Sequence, residues 1–479
     1  MAKRFANLIG GEWVEGLEGS ENRNPSDLDE VVGEFSQGSA EDVDRAVAAA
    51  RAALPAWSRS NAQVRGDLLD KVSDLLMARA DELGNLLARE EGKTLAEAKG
   101  EVQRSARIFR FYAGECYRAI GDVLPSMRSG ITVEARREPI GVVGLITPWN
   151  FPIAIPAWKT APALAYGNCV VMKPADMVPA SAWRLAEIIK EAGAPDGVFN
   201  LVMGRGSVVG EAMLTHKGVD GISFTGSQTI GQRVAEACAT RFRRFQLEMG
   251  GKNPLVVLDD ADVDMAVEGA LNGAFFATGQ RCTASSRLIV TKGVYKQFVD
   301  KLSARLGQIK VGHALDPATN IGPVVSSSQL NQNLEYVEIG KAEGARLVMG
   351  GERLERPTKG FYMQPALFAD VDNDMRIARE EIFGPVAAVI PADNPEHALQ
   401  IANDTDFGLS AAIFTQSLKH ARMFQDGLTV GMVMVNLPTA GVDLQAPFGG
   451  TKASSFGPRE QGPYAREFYT RMKTTYVQA

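Results

Sequence analysis

One cysteine of the chain lies in a setting that suits a nucleophile. Cys282 is placed among small polar residues in "FFATGQRCTASSR" (275–287), directly after Arg281. A cysteine attacks as the thiolate, whereas a free thiol is mostly protonated at neutral pH, so nearby positive charge or the N-terminus of a helix beginning here would assist it. We therefore interpret Cys282 as a candidate nucleophile, with a purely structural cysteine as the alternative.

Two further side chains suit chemistry at a carbonyl carbon. Asn150 in "TPWNFP" (147–152) follows a strand-like run and is bracketed by prolines, so its amide can donate to an oxyanion without reorganising. Glu248 in "FQLEMGGKNP" (245–254) lies between apolar residues, where a carboxyl group has a raised pKa and can act as a base near neutrality. Taken alone, Asn150 also fits an ordinary proline-rich turn, and Glu248 a surface glutamate at a strand end.

Two segments suit a nucleotide. "VVMKPAD" ends a strand-like run with Lys173, and Asp176 follows three residues later, where an acid can contact ribose hydroxyls. "FTGSQTIG" (224–231) has the pattern of strand, turn and helix, which places Gly226 and Ser227 at a helix N-terminus that favours pyrophosphate. The GxGxxG fingerprint is absent, so each segment alone is equally a simple turn between strand and helix.

The elements that must position these residues follow two patterns. Residues 40–120 have helical periodicity, and Ser39 with Asp42 forms a start like a capping box. From about residue 140, apolar strand-like runs alternate with helical stretches, in a first series "IGVVGLIT", "NCVVMKP", "GVFNLVM", "GISFTG", "RRFQLEMG" and a second series "NPLVVLDDAD", "RLIVTKG", "PVAAVIPA", "GMVMVN". Such alternation is typical of parallel sheets covered on both faces, so we predict an α/β chain with two α/β domains.

Composition and charge argue against several classes of protein. The chain has 479 residues and a formal charge of −6, which disfavours nucleic acid or an anionic membrane as the main partner. No apolar run approaches the roughly 20 residues of a membrane span, and the first apolar run is too short for a signal peptide, so we expect a cytoplasmic protein. The scattered cysteines and histidines indicate neither a disulfide framework nor a metal site.

Taken together, these motifs resemble the aldehyde dehydrogenase superfamily. "TPWNFP", "KPAD", "FTGS", "LEMGGKNP", "GQRC", "EEIFGP" and "PFGG" occur in the family's order along nearly the whole chain. The resemblance implies a Rossmann-like NAD(P)-binding domain (1–119 and 140–249), a second α/β catalytic domain (250–445) and small β oligomerisation arms (120–139 and 446–479). It also implies a homodimer or homotetramer paired through these arms, with local hairpins as the alternative for 122–139 and the last fifteen residues.

The resemblance assigns roles to individual residues. It implies that Cys282 is the nucleophile, that Asn150 and the Cys282 backbone N–H hold the oxyanion, and that Glu248 is the general base. Lys173 and Asp176 match the pair on the adenosine ribose. The other positions that match the cofactor cleft are Trp149, Gly226, Ser227, Glu381 on the nicotinamide ribose, and Phe383 beside it. The implied reaction is NAD(P)-dependent oxidation of an aldehyde to a carboxylic acid through a thiohemiacetal and a thioester.

The preferred cofactor depends on one departure from the family pattern. Many NAD-using relatives carry Glu at the fourth position of "KPAD", where this chain has Asp176. The negative charge of Asp176 would repel the 2′-phosphate of NADP, which favours NAD. The shorter reach of aspartate leaves NADP as the alternative.

We expect a substrate aldehyde that carries an anionic group. Several relatives that take such aldehydes share "GQRC", and Arg281, Phe151, Arg104 and Arg107 are the candidate substrate residues. An arginine that only supports the loop is the alternative for Arg281. The stretch "NLPTAGVDLQAPFGGTKASSFGPREQG" (436–462) is similar to alpha-ketoglutarate semialdehyde (2,5-dioxopentanoate) dehydrogenases. Succinate semialdehyde and non-phosphorylating glyceraldehyde-3-phosphate dehydrogenases are the competing subgroups.

Two other kinds of protein remain as alternatives. A CoA-acylating relative would generally lack a base at the position of Glu248. A non-catalytic structural protein on the same fold would not need Cys282, Asn150 and Glu248 together. We therefore expect an enzyme whose covalent intermediate is released by water.

Overall fold

The computed structural model describes residues 4–16, 18–118 and 120–478. Its helices are α1 Ala40–Trp57, α2 Ala62–Ala78, α3 Ala80–Glu91, α4 Leu95–Glu115, α5 Ala154–Ala165, α6 Pro179–Glu191, α7 Glu211–Thr215, α8 Gln228–Ala239, α9 Val263–Phe275, α10 Lys292–Leu306, α11 Ser327–Ala342, α12 Arg376–Arg379, α13 Pro395–Asn403, α14 Leu418–Gly427 and α15 Arg466–Tyr469. The outer bounds predicted at residues 1, 119 and 479 lie outside the described residues.

The described residues also form β-strands. They are β1 Arg4–Phe5, β2 Asn7–Ile9, β3 Glu12–Val14, β4 Glu18–Asn24, β5 Asp27–Gln37, β6 Gly121–Leu124, β7 Ile131–Pro139, β8 Val142–Ile146, β9 Cys169–Lys173, β10 Phe199–Leu201, β11 Gly221–Thr225, β12 Arg244–Glu248, β13 Pro254–Val257, β14 Arg287–Thr291, β15 Arg346–Met349, β16 Ala366–Ala369, β17 Val386–Ala392, β18 Phe407–Gly408, β19 Ser410–Phe414, β20 Met432–Val435, β21 Thr451–Lys452, β22 Ser455–Phe456 and β23 Thr470–Gln478.

Helices α1 to α4 confirm the helical region predicted over 40–120. The capping box at α1 is also confirmed, because the Asp42 backbone N–H donates to Ser39 Oγ at 3.2 Å while Asp42 Oδ2 accepts from the Ser39 N–H at 2.8 Å. Thr94 and Glu97 make the same reciprocal arrangement at the start of α4. These caps satisfy N–H groups that have no partner within the helix.

The first series of predicted strands forms the centre of an eight-stranded sheet with the order β22-β12-β11-β8-β9-β10-β2-β3. Strands β8 to β12 run parallel, and β2, β3 and β22 add antiparallel edges. The chain proceeds from β8 to β9 and β10, and then returns to β11 on the other side of β8. Open α/β sheets bind ligands at such a reversal of strand order, beyond the carboxyl ends of the strands.

The second series lies in a seven-stranded sheet with the order β15-β16-β17-β14-β13-β19-β20. Both large sheets are mainly parallel and carry helices between their strands, which confirms the α/β class. Strands β15, β16 and β19 of this sheet were not predicted. Strands β16 and β19 each contain two alanines, a residue with weak strand preference. Strand β19 is nonetheless buried throughout and pairs with both β13 and β20.

A separate three-stranded sheet is built from β6, β7 and β23. Strand β23 pairs antiparallel with β7 along its full length, from Thr470 to Gln478. The predicted arm 446–479 is wrong for its first part, because Ser455–Phe456 pairs with β12 in the eight-stranded sheet. Phe456 stacks there on Phe245 with ring centroids 5.2 Å apart. A role of the three-stranded sheet in oligomerisation stays a prediction.

A buried ion pair links α5 to the loop that precedes α15. The side chains of Lys159 and Glu460 are 0% and 2% exposed and contact each other directly. Lys159 Nζ also donates to Ser223 Oγ at 2.7 Å, and Trp158 Nε1 donates to Glu460 Oε2 at 2.6 Å. Among the described helices, none is long and apolar enough to cross a membrane.

Removal of the Lys159 charge should destabilise the fold strongly. Lys159→Met leaves the buried Glu460 carboxylate without its counter-charge, which costs about 3–5 kcal/mol of unfolding free energy. The double variant Lys159→Met/Glu460→Gln should recover part of that loss. Urea unfolding followed by circular dichroism measures both, with the exposed pair variant Lys301→Met as a control expected to lose less than about 1 kcal/mol. Equal midpoints for Lys159→Met and Lys301→Met would contradict this account.

Candidate active site

Four neighbouring strands of the eight-stranded sheet end at, or just before, predicted site residues. Strand β12 ends at Glu248, β11 at Thr225 just before Gly226, β8 just before the Asn150 loop, and β9 at Lys173. The pairing sets Thr225 opposite Glu248 and Ile146 opposite Lys173, so the strand ends are level. The sheet therefore brings these residues to one edge, as the motif order implied.

The backbone before Cys282 takes a left-handed conformation over three residues. Ala277, Thr278 and Gly279 have φ angles of 51°, 57° and 65°, and a β-branched residue such as Thr278 is a strained outlier there. Neighbouring groups hold this turn, since the Ala277 N–H donates to Glu97 Oε1 at 2.8 Å. A Cβ on Gly279 would lie 2.3 Å from the Gly384 carbonyl oxygen, so glycine is required.

The Cys282 loop is also held from the seven-stranded sheet. Asn253 Nδ2 donates to the Cys282 carbonyl at 2.8 Å and to the Ala284 carbonyl at 2.9 Å. A Cβ on Gly251 would lie 2.6 Å from the Cys282 carbonyl oxygen. Asn253 was not predicted as a site residue. Its position in "GGKNP", five residues after Glu248, is the sequence signal that could have indicated a role at the site.

Asn150 contacts the same loop. The Asn150 side chain is buried, and its Nδ2 donates to the Gln280 carbonyl at 3.0 Å. Its own backbone carbonyl accepts from Lys93 Nζ at 2.7 Å. The Asn150 amide is therefore fixed from both sides. Its acceptor, Gln280, lies two residues before Cys282 in the facing loop.

A cavity of about 230 Å³ opens beside Cys282 and Asn150. Its lining includes five of the predicted cofactor residues, namely Trp149, Gly226, Ser227, Glu381 and Phe383. Trp149 and Phe383 meet edge-to-face with ring centroids 5.2 Å apart. Lys173 and Asp176 do not line this cavity: Lys173 is buried at the neighbouring strand end, and Asp176 is exposed just beyond it.

The groups around this first cavity suit the parts of a dinucleotide. Ser227 is the N-cap of α8 and, in the described structure, makes no capping bond with its own side chain, so the helix N–H groups remain suited to phosphate oxygens. Glu381 Oε1 accepts from the Gly251 N–H at 2.9 Å, and a Cβ on Gly250 would lie 2.0 Å from the carboxylate. Burial raises the pKa of Glu381 to about 7.

A second cavity of about 340 Å³ also reaches Cys282. Phe151, Arg104 and Arg281 line it together with Trp158, Asn272, Phe448 and Gln461. Arg281 Nη2 lies 3.3 Å from Glu97 Oε1, so its charge is already paired within the protein. Arg107 is exposed and lies outside the lining, so the geometry does not support it as a substrate residue.

Hydrogen bonds of Arg104 within the described chain go to neutral oxygens. Its Nη1 donates to the Val442 carbonyl at 2.5 Å, and its Nη2 donates to Gln461 Oε1 at 3.1 Å. Burial lowers the pKa of Arg104, which nevertheless stays far above neutrality. Arg104 is therefore better suited than Arg281 to pair with an anionic group in the second cavity.

The Cys282 thiol is disfavoured as an anion in this structure. Burial, followed by the charges of Glu248 and Glu381, raises the pKa of Cys282 to about 12. This direction is opposite to the expectation from the polar sequence around it. No helix is found over the described residues 280–286, so the helix N-terminus considered for thiolate stabilisation is also wrong.

Glu248 lies close to Cys282 but is turned into the protein. It is buried outside the linings of both cavities, and Ser455 Oγ donates to Glu248 Oε2 at 2.5 Å. Burial and the nearby Glu460 raise the pKa of Glu248 well above its usual range. No cluster of metal-ligating side chains is found among the residues that the structure describes.

Comparison with known proteins agrees with this geometry. The sequence model of the aldehyde dehydrogenase family matches residues 13–475. The chain is 48% identical to alpha-ketoglutaric semialdehyde dehydrogenase of Bacillus subtilis (strain 168) over 477 residues, which cover 99% of this chain and 98% of that protein. It is 41% identical to 2,5-dioxopentanoate dehydrogenase of Saccharolobus solfataricus over 473 residues, 98% of each chain.

A solved structure has the same fold. Betaine aldehyde dehydrogenase from Staphylococcus aureus in complex with NAD+ superposes with a TM-score of 0.96 at 36% identity, covering 99% of this chain and 95% of that one. The fold and the cleft thus define an NAD(P)-dependent oxidoreductase. The chain belongs to the aldehyde dehydrogenase family, and its reaction is the oxidation of an aldehyde to a carboxylic acid.

The raised thiol pKa predicts how Cys282 reacts before substrate binds. Below a pKa of about 12, the thiolate fraction rises roughly tenfold per pH unit, so alkylation by iodoacetamide should accelerate steadily from pH 6 to pH 10 in the absence of cofactor. Mass spectrometry of the Cys282 peptide measures the rate, with Cys282→Ala as the control for the other cysteines. A plateau of the rate below pH 8 would contradict the raised pKa of this thiol.

Proposed function

We propose that the protein oxidises a short ω-oxo acid, alpha-ketoglutarate semialdehyde first of all, with NAD as the cofactor. The observation that carries this proposal is that Cys282 lines both cavities. One cavity suits a dinucleotide, and the other offers an arginine for a distal carboxylate. Relatives at 48% and 41% identity bear the names of this activity.

Arg104 is proposed as the partner of the substrate carboxylate. Its guanidinium donates only to neutral oxygens of Val442 and Gln461 in the described chain. The carboxylates of Asp443 and Glu101 act on its charge without a hydrogen bond to it. Guanidinium and carboxylate can form a charge-assisted, bidentate pair. Arg281 is proposed to contribute positive charge at longer range, because Glu97 already pairs with it. Phe151 is proposed to form the apolar wall beside the substrate chain.

In the proposed first step, the Cys282 thiol gives its proton to solvent, the resulting thiolate adds to the aldehyde carbon, and an oxyanion forms on the former carbonyl oxygen. One hydrogen of Asn150 Nδ2 is used by the Gln280 carbonyl, which leaves the second hydrogen for the oxyanion. The backbone N–H of Cys282 supplies another donor. Such fixed donors stabilise the developing charge without reorganising, and loss of one typically costs about 10²–10³ in rate.

The second half of the reaction releases the acid. NAD, when bound, accepts the hydride from the substrate carbon, and Cys282 then carries a thioester. Glu248 is proposed to take a proton from a water molecule as the water oxygen attacks the thioester carbon. The carbon–sulfur bond then breaks, the acid is released and the Cys282 thiol is regenerated. Burial raises the pKa of Glu248, which makes its carboxylate a stronger base for this step. Glu248 must first leave its hydrogen bond to Ser455, so rotation of this side chain precedes hydrolysis.

Replacement of the proposed base separates the two halves. Glu248→Gln should still form NADH in a rapid burst of up to one equivalent per subunit, because the oxidation does not need the base for water. Steady-state turnover should fall by about 10²–10⁴-fold, the usual contribution of a general base. Stopped-flow absorbance at 340 nm measures both phases, and Cys282→Ala should abolish both. A Glu248→Gln turnover equal to wild type would remove this role.

Substrate choice tests the proposed anion site. Arg104→Leu should lower kcat/KM for alpha-ketoglutarate semialdehyde by roughly 10–100-fold, since a charge-assisted pair contributes about 1.5–3 kcal/mol. Its kcat/KM for a neutral aldehyde such as propanal should change less than threefold. Arg107→Leu, an exposed position on the same helix, is the matched control. The panel should include succinate semialdehyde and glyceraldehyde 3-phosphate, and a wild-type preference for neutral aldehydes would contradict the proposal.

The preference for NAD is supported by the end of β9. Asp176 is exposed three residues after the buried Lys173. A carboxylate at that position would accept from ribose hydroxyls and repel the phosphate of NADP. Lys173 is proposed to donate to the same ribose, and Trp149, Gly226, Ser227, Glu381 and Phe383 are proposed to hold the rest of the dinucleotide.

The three-stranded sheet is proposed to join subunits into a homodimer or homotetramer in the cytoplasm. Val123, Leu124, Tyr476 and Val477 of this sheet are 46–75% exposed. Exposed apolar side chains on a sheet with a free edge are a typical feature of surfaces that pair with a second chain.

A further inference from the structure

One face of helix α4 contacts both loops that meet at Cys282. Glu97 and Glu101 are four residues apart in α4, so their side chains lie on the same face, about 6 Å apart along the axis. Glu97 holds the loop of the nucleophile, and Glu101 holds the loop of Asn150. Both carboxylates therefore act from a single rigid element.

The contacts of Glu97 reach the turn before the nucleophile. Its Oε1 accepts from the Ala277 backbone N–H at 2.8 Å and lies 3.3 Å from Arg281 Nη2. Ala277 begins the left-handed segment, and Arg281 directly precedes Cys282. Glu97 thus fixes the chain on both sides of the strained turn.

The contacts of Glu101 reach the Asn150 loop through Lys93. Lys93 Nζ lies 2.5 Å from Glu101 Oε2, and both side chains are 2% exposed. The same ammonium donates to the Asn150 carbonyl at 2.7 Å and lies 4.1 Å from the centre of the Phe151 ring. Glu101 Oε1 accepts from the backbone N–H groups of Ile153 and Ala154, each at 3.0 Å.

Together these contacts hold the Asn150 loop from Asn150 to the start of α5. Helix α5 has no side-chain cap of its own at Ile153, so the Glu101 carboxylate satisfies N–H groups that the helix leaves without partners. A buried ion pair contributes little stability compared with apolar residues of similar size. Its geometry, however, determines where its partners lie.

We infer that Lys93 and Glu101 are positioning residues that set the placement of the Asn150 amide relative to Cys282. This inference depends on the proposed function of Asn150 as oxyanion donor. Lys93 itself lines neither cavity, so it acts through two residues that do, by way of the Asn150 backbone and the Phe151 ring. A shift of the amide by about 1 Å is enough to cost roughly 10²-fold in rate.

The test is the pre-steady-state burst of NADH in Lys93→Met. We expect the burst rate to fall by roughly 10–100-fold, while the burst amplitude and the KM for NAD stay within twofold of wild type. A merely structural role would lower the amplitude, which counts folded active sites, and leave the rate of each site unchanged. With a substrate deuterated at the aldehyde carbon, the slowed burst should show an isotope effect. Lys99→Met, a partly exposed lysine of α4 that pairs with Asp81, should match wild type.

A second variant tests whether a slow burst in Lys93→Met comes from misfolding. Lys93→Met leaves the Glu101 carboxylate buried without its nearest counter-charge, whereas Lys93→Met/Glu101→Gln removes that charge and keeps an amide oxygen for Ile153 and Ala154. The buried Glu91 carboxylate, 3.9 Å from Lys93 Nζ, loses the ammonium in both variants. The double variant should fold and show the same slow burst. A burst rate within twofold of wild type in either folded variant would overturn the inference, as would lowered amplitude with an unchanged rate.

A crystal structure of the double variant separates this inference from the proposed function. The positioning role predicts that the bond from Asn150 Nδ2 to the Gln280 carbonyl, 3.0 Å in the wild type, is lengthened or lost. Retention of that bond would overturn the inference whatever the enzyme does. Absence of NADH formation by the wild type with every aldehyde would instead refute the proposed function.

Discussion

The active centre depends on one hydrogen bond between loops of different sheets. Asn150 follows a strand of the eight-stranded sheet, Gln280 precedes a strand of the seven-stranded sheet, and the Asn150 amide donates to the Gln280 carbonyl at 3.0 Å. Because the two loops are bonded, the thiol two residues beyond Gln280 and the proposed oxyanion donor keep one relative position.

Holding that position requires features that cost stability. Thr278 is left-handed, Lys93 and Glu101 are buried charges, and Cys282 has a pKa raised to about 12. Strain and buried charge of this kind persist only where the surroundings fix them. The protonated thiol also has a chemical consequence: the nucleophile is protected from alkylation and oxidation, which need the thiolate, until a base or a bound cation changes its surroundings.

The sequence predicts what is local and misses what is contributed by distant parts of the chain. Apolar β-branched runs identified most strands of both sheets. The motif order predicted Cys282, Asn150 and Glu248 at one cleft; Cys282 and Asn150 line the same cavity, and Glu248 lies outside its lining. Alanine-rich β19 lacks such a run. The pairing of Arg281 with Glu97 joins residues 184 positions apart, and the bond from Asn253 to the Cys282 carbonyl joins residues 29 positions apart. The polar neighbours of Cys282 in sequence also said nothing of the acids and apolar groups that surround it in space.

Mass spectrometry of the reacting enzyme tests the account most directly. Wild-type protein mixed with NAD and alpha-ketoglutarate semialdehyde, then stopped with acid during the first turnover, should carry the acyl group of the substrate on the peptide that contains Cys282. The adduct should form at the rate of the first NADH and disappear as the acid is released. NADH formed with no adduct on that peptide, or with the acyl group on another residue, would contradict the account.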